Sequence, residues 1–112
     1  ASKEYNDIGL GWNDPDNLTK QRVYEPNGGW LWDGAENAEG IIWGGCVESI
    51  DELLRHAIQI PSLEDFRNIV LIAETSEEMP SAEYVFRVFR ALGERGILGC
   101  VKGLLIGRPK AW

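Results

Sequence analysis

Residues 69–74 read Ile69-Val70-Leu71-Ile72-Ala73-Glu74. Five apolar side chains in succession, three of them β-branched, have the length of a strand. Their lack of polar alternation predicts a strand covered on both faces, the pattern of parallel sheets. On the amino-terminal side, Gly40–Trp43 reads as a short strand ending at Gly44-Gly45. A helix follows, with Ile50, Leu53, Leu54, Ala57 and Ile58 at i, i+3, i+4, i+7 and i+8. Ser49 with Glu52 three residues later has the form of a capping box and predicts where that helix starts. Pro61 lies just past its end, and Ser62–Phe66 suits a single capped turn.

On the carboxyl-terminal side, a second helix is predicted from Ser81 to Arg95, with Ala82, Val85, Phe86, Phe89 and Leu92 as its apolar positions and Gly96 as its stop. Val101–Ile106, interrupted by Gly103, forms the next strand before Gly107-Arg108-Pro109. The order over residues 39–112 is therefore β, α, β, α, β. Two helical crossovers imply an α/β domain with a mainly parallel sheet, two main helices and right-handed connections. There is no internal repeat.

Residues 1–38 are different: a loop and short-strand region punctuated by Asn13-Asp14-Pro15, Asp16-Asn17, Pro26-Asn27-Gly28-Gly29 and Asp33-Gly34. Tyr5, Trp12, Tyr24, Trp30 and Trp32 are embedded in it, an aromatic load that a disordered linker rarely carries. Long structured loops of this kind are usually binding loops or lids. Short extended pieces are expected around Arg22–Tyr24 and Gly29–Trp32, paired with each other.

The 112 residues suffice for one small domain and not for two separate cores. Hydrophobic residues make up 44% and charged residues 26%, ordinary globular values that exclude a disordered chain or a fibre. With 11 Lys+Arg against 18 Asp+Glu the net charge is −7, which argues against a nucleic-acid partner because phosphate contacts demand clustered cations. No apolar run approaches the ~20 residues that span a bilayer, and no signal peptide opens the chain, so no membrane partner is expected. One histidine and two cysteines leave no paired motif for zinc, and no metal is expected. Cys46 and Cys100 each stand beside glycine near apolar segments. They read as small core residues in a reducing, cytoplasmic compartment, a bridge between them being the alternative.

Among candidate functional residues, Glu74 closes the buried strand, at the sheet edge where α/β proteins bind ligands. A carboxylate there can orient a histidine through its Nδ1 proton, as the acid of a hydrolase triad does. The plainer reading is that Glu74, Thr75 and Ser76 cap the next segment, with Glu77 and Glu78 solvating it. His56 stands mid-helix on the flank of the apolar face, without a neighbouring nucleophile, and reads as a surface histidine. Gly44-Gly45 before a helix could bind an anion through backbone N–H groups, but no phosphate-loop fingerprint surrounds it and a tight strand-to-helix turn is the plainer reading. Trp43 is expected in the core, whereas Trp12, in a polar loop, is the better candidate to stack on a ring.

Taken in order, Glu39-Gly40-Ile41-Ile42-Trp43-Gly44-Gly45, a helix with Leu53, Pro61, Ile69–Glu74, Arg87 and Leu92 before Gly96-Ile97, and Gly103-Leu104-Leu105-Ile106-Gly107-Arg108 resemble the C-terminal domain of the LD-carboxypeptidase family of serine peptidases. Upstream, Tyr5, Trp12 and Pro15-Asp16 look more like its microcin C immunity branch than its cell-wall recycling branch. The resemblance implies a swivelling β/β/α domain, preceded in the family by a flavodoxin-like domain that carries the nucleophilic serine. It implies a Ser-His-Glu triad in which Glu74 is the acid, and in which the histidine lies beyond the segment matching Gly103–Arg108. His56 does not match that histidine. Trp12 is the nearest match to an aromatic residue that stacks on a nucleotide base. The implied partners are the serine-bearing domain, a small peptide or aminoacyl-nucleotide substrate, and a second copy in a homodimer; no cofactor is implied. The chain departs from the family at Cys46, where Asn is usual, at Thr75, where Asp is common, and at Ala57-Ile58-Gln59, where Gly-Thr is usual.

Ala1 at the start, Met79 as the only methionine and Pro109-Lys110-Ala111-Trp112 directly after a strand pattern suggest a chain cut at both ends. The reading from a different class is a stand-alone binding or assembly domain of the same fold, and a further one is dimerisation through the acidic, tryptophan-rich surface. With neither serine nor histidine of the implied triad, the purified 112-residue chain is expected to leave an aminoacyl-sulfamoyl adenosine intact. Chromatographic detection of its hydrolysis would contradict this.

Overall fold

The computed structural model describes residues 2–6 and 9–109. It divides into two compact units, Ala1–Ala35 and Glu36–Trp112.

In the first unit, β1 (Glu4–Tyr5) pairs antiparallel with β2 (Glu25–Pro26), Tyr5 opposite Glu25. The ladder continues through Asn27, whose backbone N–H donates to the Lys3 carbonyl at 2.9 Å and whose side chain donates to the Ser2 carbonyl at 2.9 Å. The expected pairing of Arg22–Tyr24 with Gly29–Trp32 does not form. Asn27 Oδ1 accepts from the Gly29 N–H at 3.0 Å in a side-chain-closed turn, and the chain before it pairs with residues 3–5 instead. A one-turn 3₁₀ helix, Pro15–Leu18, starts at Asp14, whose carboxylate accepts from the Asp16 N–H at 3.0 Å. Asn17 anchors that turn by donating to the Gly11 carbonyl at 2.9 Å.

In the second unit, β3 (Ile41–Cys46), β4 (Ile69–Glu74) and β5 (Gly103–Ile106) form a sheet in the order β3-β4-β5, all neighbours parallel. The α/β architecture and parallel sheet expected from the sequence are both present. The chain steps across the sheet in one direction, so two right-handed crossovers put α1 (Val47–His56) and α3 (Ala82–Glu94) on the same face. Packing agrees: Val47, Ile50 and Leu54 of α1 and Val88 and Leu92 of α3 are buried in one cluster with Ile69, Leu71 and Ala73 of β4. Phe66, at the end of the turn helix α2 (Leu63–Phe66), is fully buried in that cluster, and Trp43 meets its ring edge-on at a centroid distance of 5.2 Å. The α2 turn is capped as its sequence predicts: Ser62 Oγ accepts from the Asp65 N–H at 3.1 Å, and Asp65 accepts from the Ser62 N–H at 3.2 Å.

Three local expectations are corrected. First, β3 does not stop at Gly44-Gly45 but runs through both glycines to Cys46. Both have positive φ, 129° and 143°, and a Cβ on Gly44 would drive into the Ile72 carbonyl oxygen. Glycine here lets two backbones approach, which a β-carbon would prevent. Second, α1 therefore begins at Val47, and Ser49 lies inside its first turn rather than capping it. Glu52 pairs with His56 instead, at 3.1 Å. Third, the buried stripe of α3 is centred on Val88 and Leu92 with Tyr84 and Ala91 beside it, while Phe86 is 63% exposed. The sequence carries two overlapping apolar stripes, and the packing against α1 selects the one containing Tyr84. Its hydroxyl donates to Asp51 at 2.8 Å, and Arg55 holds the same carboxylate at 2.7 Å. Burial, then the bond to Asp51, pushes the Tyr84 phenol up to about 12. Among the described residues, no helix is long and apolar enough to cross a membrane.

The two glycines of β3 make unequal demands. Gly44→Ala combines a forbidden φ with a backbone clash and is expected to cost about 3 kcal/mol or more. Gly45→Ala, where a Cβ meets nothing within 4 Å, carries only the φ penalty. Urea unfolding of both variants measures the gap; equal losses would contradict it.

Candidate functional site

A parallel sheet aligns the carboxyl ends of its strands along one edge, and the first polar residue to leave the core stands there. In β4 that residue is Glu74: residues 69–73 are buried or half-buried, and Glu74 is exposed. The bracing around it is backbone. The Gly107 N–H donates to the Ala73 carbonyl at 2.8 Å, bringing the exit of β5 alongside. A Cβ on Gly107 would stand 2.9 Å from Glu74 Cβ, so glycine is what allows that close pass. On the other side, Cys46 is the register partner of Glu74, and the two side chains leave the same face of adjacent strands.

Beside this edge lies a mainly apolar cavity of about 360 Å³, walled by Ala73, Val85, Phe89 and Ile106 with Glu74 and Thr75 in its lining. Phe89 also packs against the core cluster, so the cavity wall is continuous with the buried side of α3.

A second carboxylate, unnoticed in the sequence, completes the edge. Glu48, in the first turn of α1, accepts from Ser76 Oγ at 2.6 Å through one oxygen and from Cys46 Sγ at 2.8 Å through the other. Cys46 first, then Ser76, holds the Glu48 carboxyl below its usual range. An anion in the first turn is also favoured by the helix dipole. Ser76 in turn closes the segment after β4: its hydroxyl accepts from the Glu78 N–H at 3.2 Å and its carbonyl from the Met79 N–H at 3.1 Å. The local capping read for Ser76 from sequence is thus real, and a bond to a residue 28 positions away is added to it. The only sequence signal for Glu48 was indirect: once β3 and β4 are known to be parallel and in register, the residues just after Cys46 and Glu74 must be neighbours.

The remaining candidates lie elsewhere. His56 has an exposed side chain at the far end of α1, about 15 Å along the helix axis from Cys46. Trp12 belongs to the first unit, where it is 90% exposed beside the Asp14 turn. Cys46 and Cys100 are unbridged and half-buried. Among the described residues, no group of three His, Cys, Asp or Glu side chains is arranged to hold a metal ion. Gly44-Gly45 form part of a strand and not a phosphate-cradling loop.

A solvent-accessible carboxylate on a rigid strand end can orient and stabilise an imidazolium, but it supplies neither nucleophile nor base. Residues 39–111 match the family described as the LD-carboxypeptidase C-terminal domain. Among solved structures, an MccF-like protein from Streptococcus pneumoniae, crystallised in complex with AMP, is similar at a TM-score of 0.81 and 31% identity over 96% of this chain. The chain spans 35% of that protein's length. No curated protein sequence matches.

Ser76→Ala removes one donor from Glu48 and is expected to lower stability at pH 7 by about 1 kcal/mol, the bond being only half-buried. Because the folded-state Glu48 carboxyl is lowered, this contribution is present above the unfolded value of 4.5 and disappears as pH falls through the folded one. Denaturant unfolding of both proteins from pH 7 to 3 should show the difference narrowing; a constant gap would contradict the assignment.

Proposed function

The chain belongs to the LD-carboxypeptidase family, as its C-terminal domain, and we propose that it contributes the acid of a Ser-His-Glu triad to an amide-cleaving serine hydrolase. The observation that carries this reading is the position of Glu74, the last residue of the central strand, with its carboxylate at the sheet's carboxyl edge and glycine on the neighbouring strand exit. The serine and the histidine would come from parts of a longer protein, the serine from a preceding domain and the histidine from beyond residue 108. In the assembled site, serine Oγ attacks the amide carbonyl while the imidazole takes its proton. The imidazolium then delivers that proton to the leaving amine, and water repeats the cycle on the acyl-enzyme. Glu74 remains ionised throughout. It holds the Nδ1–H and offsets the positive charge that develops on the ring.

For the substrate we propose a peptidyl- or aminoacyl-nucleotide in preference to a murein LD-peptide. The similar MccF-like protein was crystallised with AMP, and the exposed Trp12 offers a flat apolar face of the kind that stacks on a base. Cytoplasmic residence fits the two unbridged thiols, and homodimerisation of the intact protein belongs to the same reading.

The decisive test uses the full-length protein that carries this domain. Offered an aminoacyl-sulfamoyl adenosine and a murein tetrapeptide, it is expected to cleave the first. Glu74→Ala should lower kcat by about 10⁴-fold while KM stays within a few-fold. Near-normal turnover by Glu74→Ala would remove Glu74 from the triad, and preference for the tetrapeptide would overturn the nucleotide reading.

A further inference from the structure

The geometry points to Glu48 as the positioning residue of Glu74, an inference that rests on the triad reading above. Three features of the sheet edge converge on it. Cys46 and Glu74 are register partners at the ends of adjacent parallel strands. Glu48 follows Cys46 by two residues, and Ser76 follows Glu74 by two. The two oxygens of the Glu48 carboxylate divide their bonds between these strand ends: the Cys46 thiol donates to one at 2.8 Å and the Ser76 hydroxyl to the other at 2.6 Å.

The carboxylate is therefore a strap across the edge, joining the exit of β3 to the exit of β4 with Glu74 between its anchors. Without it, the segment after Glu74 is tied mainly by its own turn, in which the Glu78 and Met79 N–H groups bond to Ser76. Among the described residues no hydrogen bond holds the Glu74 side chain, so its direction depends on the backbone that carries it. A shift of about 1 Å in a catalytic group can cost on the order of 100-fold in rate. A strap on the adjacent backbone thus acts on turnover through Glu74, although it touches neither substrate nor reacting atoms. The half-buried thiol of Cys46 gives Glu48 its second donor.

The test uses the full-length protein with an aminoacyl-sulfamoyl adenosine as probe. Glu48→Ala should lower kcat by about 10–100-fold with KM nearly unchanged. Glu48→Gln, which keeps an acceptor for Ser76, should recover much of the loss, and Ser76→Ala should fall between the two. The Glu48→Ala/Glu74→Ala double variant should be no slower than Glu74→Ala alone, because a residue that acts through another loses its effect once that other is gone. A merely structural role would add its loss in the double variant. Unchanged kcat in Glu48→Ala, or additive losses, would overturn the inference and leave the triad reading intact. Normal turnover in Glu74→Ala would instead overturn the triad reading.

A readout without catalysis keeps the strap itself testable. In the 112-residue chain, Glu48→Ala should speed hydrogen exchange at the Glu78 and Met79 amides by about tenfold or more while the β4 amides stay protected. Unchanged exchange at those two amides would overturn the strap whatever the kinetics.

Discussion

The second unit depends on the burial of β4 between two parallel neighbours. Ile69, Leu71 and Ala73 project into the cluster beneath α1 and α3, and Leu71 is completely excluded from solvent. Burial of a side chain of that size contributes about 1.5–3 kcal/mol; Ile69 is a second such position, and the Ala73 methyl is buried beside them. Both of its hydrogen-bonding edges are occupied, by β3 and by β5. From this follows the direction of each crossover, the common face of the two helices, and the need for glycine at position 44, where β3 must come close to the Ile72 carbonyl.

The same constraint produces the site. A strand apolar at every position from Ile69 to Ala73 can place a polar side chain only where it ends, and β4 ends at Glu74. Parallel pairing brings the end of β3 to the same edge, so the first turn of α1 arrives there with Glu48. The fold thus gathers two carboxylates, a thiol and a hydroxyl into one row, with the apolar cavity beside it. One carboxylate is fully partnered and the other faces solvent, and this contrast separates a strut from a group able to meet an incoming histidine.

His56 illustrates the opposite case. Proximity in sequence to the strand end gives it no access to that edge, because α1 carries it away from the edge along the whole helix and pairs it with Glu52. Membership of the LD-carboxypeptidase family fits a chain whose chemistry is one exposed acid. The chain spans 35% of the longer MccF-like relative.

Much of the fold was legible in the residues. The run Ile69–Ala73 announced the central strand, although the cover expected on both faces is complete on one only, where Ile69, Leu71 and Ala73 are buried while Val70 and Ile72 are half-buried; Ser62 with Asp65 announced a capped turn, and Ser81 with Gly96 the limits of the second helix. These signals are local: side-chain periodicity, caps and left-handed stops act within a few residues of chain. Glu74 as a candidate was legible for the same reason, since it ends an apolar run. The length of β3 was not, because Gly44-Gly45 suits a turn or a close strand pairing equally, and Ile72, 28 residues away, decides which. The choice of the Val88 stripe on α3 awaited the packing of Tyr84 on Asp51. Glu48 was invisible because its partners, though one is only two residues distant, meet it only when two strand ends are in register. In the second unit the sequence by itself determined the order of strands and helices and which carboxylate leaves the core. Tertiary structure decided which groups stand beside that carboxylate, because parallel pairing joins residues whose neighbourhood no local pattern encodes.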